Sequence, residues 1–300
     1  MANSGFYPYI SCKNQNITLM ANAGIIVLIL IIANVIVSYK GFSNSSFFEG
    51  YKFEVDRILI NKDYKRLITS GFLHVSWTHL LFNMFALYVF SQIVELTLGP
   101  LNFLIIYFAS LIGGDLLSLL IHRNHGDYSS VGASGAIAGV MFASVAIFPD
   151  MGIGLFLLPI SIPGWIFALL YVLFTIYGIR SRKDNIGHDA HLGGALVGMM
   201  LALIMNPSVL MYNYGKILII LIPTLVFIYL IITRPEILFV DNLFYKNHKD
   251  FYSIDHRVNA ERADRQQEID RILDKISRTG MKSLTRKEKE TLKAYSKHVR

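Results

Sequence analysis

Seven apolar runs constrain this chain more than any other feature of its sequence. A helix needs about 20 predominantly apolar residues to cross the hydrocarbon core of a bilayer. Over its 300 residues the chain is 53% hydrophobic and only 16% charged, with a mean hydropathy of +0.46, which excludes an ordinary soluble domain. The sequence therefore predicts an all-α polytopic membrane protein with spans at Leu19–Ser38, Thr78–Leu98, Leu101–His122, Ser134–Phe148, Gly154–Ile179, Ala190–Met205 and Ile217–Thr233.

The fourth and sixth runs differ from the others because they are short and begin with small or polar residues. Such starts are poor neighbours for lipid, so both are expected to be central helices enclosed by the other spans. The fifth run contains Pro159 and Pro163, which break helical hydrogen bonding. We expect that run to kink or to begin as a loop that dips into the membrane.

The sequence divides into an N-terminal segment (1–18), a transmembrane core (19–206), an additional transmembrane helix (207–233) and a basic soluble helical tail (234–300). The first 18 residues lack the charged start and cleavage site of a signal peptide, so the first span is expected to stay as an anchor. One cysteine, Cys12, excludes an internal disulfide. The long aromatic loop at 41–77 indicates a place in the membrane interface, with an ordinary surface loop as the alternative.

The tail carries most of the basic surplus, with 16 Lys and Arg against 11 Asp and Glu in a chain whose formal net charge is +7. This favours a solvated domain near anionic lipid headgroups, and no nucleic-acid partner is expected. Apolar spacing predicts a helix within 259–277 that Gly280 ends. Thr285 and Glu288 match a capping box for a second helix. The tail is thus predicted to be a helical hairpin, with docking of a partner or regulation as its hypothetical role.

Two polar residues stand at the heads of the central runs. Ser134 opens one within Gly-Ala-Ser-Gly-Ala, and His191 opens the other within Ala-His-Leu-Gly-Gly. Ionisable groups at membrane depth are costly, which favours a functional role. Paired small residues let helices approach closely, and glycines at four-residue spacing follow both polar residues, at 135, 139, 194 and 198. If these faces meet, the imidazole can take the hydroxyl proton and activate a poor nucleophile. Taken singly, each polar residue also fits simple helix packing.

His79 and Asn83 lie one turn apart on a third run and share a helix face. Both can donate a hydrogen bond to an oxyanion, and a polar contact between helices is the alternative. Asp189 lies two residues before His191, on another side of the helix, which favours a dyad over a triad. A metal site competes as an interpretation, although the His-Glu-x-x-His motif of zinc hydrolases is absent. Its imidazoles would come from His74, His79, His188 and His191.

Three motifs occur in a fixed order, each at the head of an apolar span: His79-x-x-x-Asn83, Gly132-Ala133-Ser134-Gly135 and Ala190-His191-Leu192-Gly193-Gly194. In this combination the chain resembles the rhomboid family of intramembrane serine proteases over roughly residues 64–198. The resemblance implies that Ser134 is the nucleophile and His191 the general base. It also implies that His79, Asn83 and the Ser134 backbone N–H form the oxyanion hole, inside a six-helix core with a water-filled cavity.

The resemblance further implies an endopeptidase that needs no metal or cofactor and cleaves transmembrane or membrane-adjacent segments of other proteins. We expect it in the bacterial cytoplasmic membrane. The alternative function is a non-proteolytic escort that binds unstable transmembrane segments in the same cavity. The first-loop Trp-Arg pair of the family corresponds here to Lys65-Arg66, and Tyr64 is expected to take over the packing of the tryptophan. Many members stack a tyrosine on the histidine from one turn after the serine. That position is Ala138 here, so another residue must hold the His191 ring.

The sequence leaves the orientation in the membrane open. If all seven spans cross, the first long loop, the Ser134 and His191 openings and the tail share one face, which carries almost all of the loop Lys and Arg. The positive-inside rule assigns that face to the cytoplasm, whereas the resemblance implies a site that opens away from it.

Overall fold

The computed structural model describes residues 24–154, 161–181 and 186–234, together with seven positions of the tail between 272 and 292. Its helices are α1 (Ile25–Ser43), α2 (Ser45–Tyr51), α3 (Val55–Leu59), α4 (Arg66–Thr69), α5 (Trp77–Leu98), α6 (Pro100–Ile121), α7 (Ser134–Ile147), α8 (Gly164–Ser181), α9 (His188–Met205) and α10 (Ser208–Thr233). Its strands are β1 (Phe53–Glu54), β2 (Ser129–Ser130), β3 (Gly152–Gly154) and β4 (Ser161–Pro163).

Six of the described helices are long and apolar enough to cross a membrane, namely α1, α5, α6, α8, α9 and α10. The helix α7 is apolar too, but it has only 14 residues, a length of about 21 Å. That length falls short of a hydrocarbon core of roughly 30 Å. The predicted all-α polytopic membrane fold is confirmed. The helix α7 is too short for its two ends to lie at opposite surfaces of the membrane.

The short helix α7 occupies the centre of the bundle. Every residue from Gly135 to Ile147 is buried, and the helix contacts α5, α6, α8 and α9. Among the six longer helices, α9 has the largest buried share. The expectation that the fourth and sixth apolar runs are enclosed by the others is therefore confirmed.

The fifth apolar run begins outside a helix, as the expectation of an initial loop predicted, so its helical span starts later than Gly154. Residues 152–154 and 161–163 form an antiparallel hairpin, in which Gly152 pairs with Pro163 and Gly154 with Ser161. The helix α8 begins only at Gly164. Proline has no N–H to donate inside a helix, but it is tolerated at the edge of a short hairpin. Pro159 lies outside the described residues.

The predicted seventh span started too late in the sequence. The helix α10 begins at Ser208, nine residues before Ile217, and it continues through Pro223 to Thr233. The run Met211–Lys216 is more polar than the rest of the helix, so its mean hydropathy did not indicate a membrane span. The helix tolerates these side chains because they are mostly exposed. A proline inside an apolar helix removes one backbone hydrogen bond and is compatible with a gentle bend.

The first long loop is built from short helices and one strand around a small apolar core of Phe53, Val55 and Ile58. Arg66 is only 4% exposed. Its guanidinium donates to the carbonyls of Glu49 (3.0 Å) and Lys52 (2.6 Å) and to the Asp63 carboxylate (2.9 Å).

Tyr64, which was expected to pack in place of a tryptophan, is instead 59% exposed. That expectation was wrong because Phe53, Val55 and Ile58 already fill the interior of the loop and Arg66 ties its backbone from within.

The described tail residues confirm the capping box. The Glu288 carboxylate accepts from the Thr285 backbone N–H at 2.7 Å, and the Thr285 hydroxyl accepts from the Glu288 N–H at 3.3 Å. Lys275 donates to both Glu288 oxygens at 3.0 Å. The Thr285 amide first, and then Lys275, lower the pKa of Glu288 to about 2. Residues 1–23, most of the predicted helix within 259–277, and Gly280 lie outside the described residues.

Candidate active site

Ser134 and His191 meet at the centre of the bundle. The Ser134 Oγ lies 2.6 Å from His191 Nε2, a hydrogen bond between residues 57 positions apart in the chain. Ser134 is the first residue of α7, and His191 lies in the first turn of α9. Both residues are half-buried. The contact can pass a proton from an alcohol to an imidazole, as general-base activation of a nucleophile requires.

The two glycine faces bring these side chains together. A Cβ atom added to Gly194 would overlap the carbonyl oxygen of Gly135, and one added to Gly198 would overlap that of Gly139. The α7 and α9 backbones therefore touch directly, with no side chain between them. The prediction that the small-residue faces meet is confirmed, and the short distance between hydroxyl and imidazole follows from it.

The backbone before Ser134 is held by a hydrogen bond to Ser70, just before α5. Gly132 has φ of +132°, a conformation that favours glycine, and its N–H donates to the Ser70 carbonyl at 3.0 Å. The Ser70 hydroxyl lies 2.6 Å from the Arg66 carbonyl and is hydrogen-bonded to Asp115 at 3.1 Å. Asp115 had no predicted role, and the structure shows that it anchors the loop residue to which the serine-bearing segment is bound.

His79 stands directly over Gly132. A Cβ on Gly132 would lie 3.1 Å from His79 Nε2 and 3.7 Å from the Ser134 Oγ, so the imidazole and the hydroxyl border the same small space. The Ser76 hydroxyl caps α5 by accepting the His79 backbone N–H at 3.1 Å. This cap fixes the turn that carries His79 next to the serine.

Asn83 lies one turn further along α5 and is 7% exposed. Its Nδ2 and the Nδ1 of His79 are buried and have no hydrogen-bond partner among the described residues. Buried polar atoms in folded proteins are nearly always paired. Two buried nitrogen atoms one turn apart on α5 are therefore available to a bound group.

His74 supports this wall of the site. Its Nδ1 lies 2.8 Å from the Ser38 hydroxyl, which donates to the Phe72 carbonyl at 2.9 Å. A hydroxyl has one proton to donate, so His74 must donate its Nδ1–H to Ser38. Burial first, and then the neighbouring His79, lower the pKa of His74 to about 3, and its ring packs edge-on against His79 with centroids 4.9 Å apart.

Asp189 does not contact the dyad. Its carboxylate accepts from the Ser118 and Tyr128 hydroxyls and lies 3.3 Å from His122 Nε2. The rings of His122 and Tyr128 stack with centroids 3.6 Å apart. The prediction that Asp189 points away from His191 is confirmed. Its partners tie the start of α9 to the end of α6 and to the loop that leads towards Ser134.

The ring that accompanies His191 comes from α8. Tyr171 lies across from it with centroids 6.2 Å apart and planes at 26°, and His188 approaches edge-on at 6.1 Å. Sequence reasoning missed Tyr171 because a tyrosine in an apolar run carries no signal of its own. Ala138, at the position where the resemblance expects an aromatic ring, is buried and contributes a methyl group only.

The histidines of the alternative metal interpretation make separate contacts and do not converge on one point. His74 binds Ser38 and His191 binds Ser134, while His188 packs against Phe174 at 5.1 Å. Among the described residues, no group of three or more His, Cys, Asp or Glu side chains is arranged to hold a metal ion.

Comparison with known proteins agrees with this geometry. A model described as the Rhomboid domain matches residues 61–208, and one described as a family of unknown function (DUF6576) matches residues 252–298. The mitochondrial Rhomboid protein 1 of Saccharomyces cerevisiae is 34% identical over 50% of this chain and 45% of its own length. The rhomboid-family protein YdcA of Bacillus subtilis is 33% identical over 47% of this chain and 67% of its own length.

A further relative, Rhomboid protease GluP of Bacillus subtilis, is 28% identical over 54% of this chain and 30% of its own length. The chain spans about half the length of the first curated relatives it matches. Apart from Ser38, the residues of the described site lie inside the matched Rhomboid domain, and the tail lies outside it.

Proposed function

Because the chain belongs to the rhomboid family, we propose that it is an intramembrane serine endopeptidase with a Ser134–His191 dyad. The observation that carries the proposal is the 2.6 Å contact between the Ser134 Oγ and His191 Nε2. An isolated serine is a poor nucleophile, and a neutral imidazole at this distance is the base that activates it. The name of the relative GluP, a rhomboid protease, also supports the proposal.

In the proposed reaction His191 takes the hydroxyl proton as the Ser134 Oγ attacks the carbonyl carbon of the scissile peptide bond. The carbonyl oxygen becomes an oxyanion. When the intermediate collapses, the C–N bond breaks and His191 gives its proton to the leaving amine. A water molecule then attacks the acyl-enzyme and loses a proton to His191. As the ester C–O bond breaks, His191 returns that proton to the Ser134 Oγ and the carboxylic acid product leaves.

We propose His79, Asn83 and the Ser134 backbone N–H as the donors to that oxyanion. The unpaired nitrogen atoms of His79 and Asn83 support this role, since a buried donor without a partner costs free energy until a ligand satisfies it. The Ser134 N–H belongs to the first turn of α7, where backbone donors have no acceptor within the helix. The partial positive charge of a helix N-terminus adds to this stabilisation.

The proposed substrates are transmembrane or membrane-adjacent segments of other proteins. A helical peptide hides its carbonyl carbons within its own hydrogen bonds, so a segment must unwind before Ser134 reaches it. Substrates with helix-destabilising residues near the cleaved bond are therefore expected. The shortness of α7 supports cleavage below the membrane surface, since a helix of 14 residues cannot reach both surfaces.

Reaction with a fluorophosphonate tests the proposal in the intact protein. Ser134→Ala and His191→Ala should each abolish labelling and cleavage of a model transmembrane substrate. Ser144→Ala is the matched control, because Ser144 lies on the same helix but its hydroxyl lies within hydrogen-bond distance of the carbonyls of Phe90 (3.0 Å) and Val140 (2.9 Å). Absence of labelling in a folded parent protein would contradict the proposal and would instead indicate the escort function.

We extend the proposal to a place in the bacterial cytoplasmic membrane. The two Bacillus subtilis relatives support it, and the yeast relative belongs to the mitochondrion. Labelling of a cysteine introduced into the tail of a Cys12→Ser protein, in intact cells and after permeabilisation, tests both the location and the side of the tail.

A further inference from the structure

His191 Nε2 is hydrogen-bonded to the Ser134 hydroxyl. Two aromatic rings also flank the imidazole. His188 meets the ring edge-on, and Tyr171 faces it with only 26° between the two planes.

Tyr171 is itself held in place by two further rings. Phe142 on α7 meets it at 5.6 Å with planes at 62°, and Phe167 on α8 lies at 6.3 Å. Phe142 is 2% exposed, so this anchor belongs to the buried core. Aromatic pairs at such distances contribute orientation as well as buried area.

The nucleophile helix carries no ring at the position one turn after Ser134. Ala138 stands one turn after Ser134 and is 2% exposed, so the space beside it is closed by other atoms. The same helix that carries Tyr171 also supports the second neighbour of His191. Phe174 packs on His188 at 5.1 Å, and a Cβ on Gly178 would overlap the His188 ring.

We propose that Tyr171 is a positioning residue that holds the His191 imidazole in the orientation in which it accepts the Ser134 proton. The proposal rests on the proposed function for the role of His191. It assigns α8 a share in the active site, since both contacts to the face and edge of the base depend on that helix. A displacement of α8 away from α9 would therefore remove these ring contacts and lower turnover.

Four proteins test the assignment: the parent, Tyr171→Leu, Tyr171→Phe and Tyr177→Leu. Leucine removes the ring but keeps apolar volume, and phenylalanine keeps the ring without the hydroxyl. Tyr177 is a matched control on the same helix, because it is 61% exposed. Each is measured for the phosphonylation rate of Ser134, for kcat and KM with a model transmembrane substrate, and for the ring resonance of His191 in histidine-labelled protein. The resonance is assigned by its absence in His191→Asn.

Tyr171→Leu should lower the phosphonylation rate and kcat by about tenfold or more with little change in KM, and should shift or broaden the His191 resonance. Tyr171→Phe and Tyr177→Leu should stay near the parent in every measurement. An unchanged rate and resonance in Tyr171→Leu would overturn the proposal, as would Tyr171→Phe failing as badly as Tyr171→Leu. If the parent does not react, the protease function fails, and the His191 resonance alone still decides whether Tyr171 holds the ring.

Discussion

Replacing Gly198 by alanine tests whether the contact between α7 and α9 sets the geometry of the dyad. The added methyl group would overlap the carbonyl oxygen, the carbonyl carbon and the Cα of Gly139. These are backbone atoms of a fully buried helix, so they cannot swing aside as a side chain would. Because Cβ atoms essentially never come within 3.0 Å of another heavy atom, the helices would have to separate locally by about 1 Å.

The expected effect on activity is larger than the effect on stability. Overpacking a closed interface costs about 1–3 kcal/mol, while replacing glycine by alanine within a helix contributes about 1 kcal/mol in the opposite direction. The free energy of unfolding should therefore fall by roughly 0–2 kcal/mol. A misplacement of about 1 Å between reacting groups costs on the order of 10²-fold in rate. The hydrogen bond of 2.6 Å between Ser134 and His191 would lengthen by this amount and weaken.

Gly215→Ala is the matched control, because a Cβ atom at that position on α10 meets nothing within 4 Å. It should leave the phosphonylation rate of Ser134 unchanged and leave the thermal unfolding midpoint equal or slightly higher. Both quantities are measured on purified protein in detergent. If Gly198→Ala reacts at the parent rate, the direct backbone contact does not determine the geometry of the dyad, and the reasoning from the glycine faces is refuted.

Three further results are expected. His79→Ala and Asn83→Ala should each lower kcat by on the order of 10²-fold, about 3 kcal/mol, with the Ser134–His191 contact intact; parent-like kcat in both would remove them from the oxyanion hole. His74 has a pKa of about 3 in the folded protein and an ordinary value near 6.5 when unfolded, so the unfolded chain binds the proton first. Stability should then be fully present above pH 6.5 and fall by about 1.4 kcal/mol per pH unit as the pH drops towards 3. His74→Asn should flatten that slope in unfolding measurements at pH 7 and pH 5. In the tail, Glu288→Ala or Thr285→Val should speed tryptic cleavage of the full-length protein, and in the parent the capping contribution should be lost only as the pH falls from about 4.5 to about 2.

Much of the architecture could be predicted because it depends on local patterns. The apolar runs define the membrane helices, and the small or polar residues at the heads of two short runs identify the enclosed helices. The glycine spacing also predicted which faces of α7 and α9 would meet, and the structure brings Ser134 and His191 together accordingly. Each of these inferences uses residues that lie within a few positions of one another.

The missed features depend on partners far apart in the chain. His74 and Ser38 are 36 positions apart, and no periodicity connects them. Asp115 finds its partner Ser70 across 45 positions. Tyr171 resembles any aromatic residue in an apolar helix until α8 is placed beside α9. The pairing of residues 152–154 with 161–163 was not predicted, because the two prolines indicated only a kink or a loop at the start of the fifth run.

These distant polar contacts explain how a bilayer protein can keep a reactive geometry. Lipid tails are as apolar as leucine side chains, so burying apolar surface does little to pull membrane helices together, and packing and hydrogen bonds must determine their positions. In this chain the glycine contact sets the distance between α7 and α9, while two buried carboxylates fix the loops that lead into them. Asp115 binds Ser70, which accepts the Gly132 N–H just before the nucleophile. Asp189 binds Tyr128 and His122 at the start of the base helix. Removing either carboxylate should therefore loosen the segment before Ser134, since Tyr128 and Gly132 both belong to it.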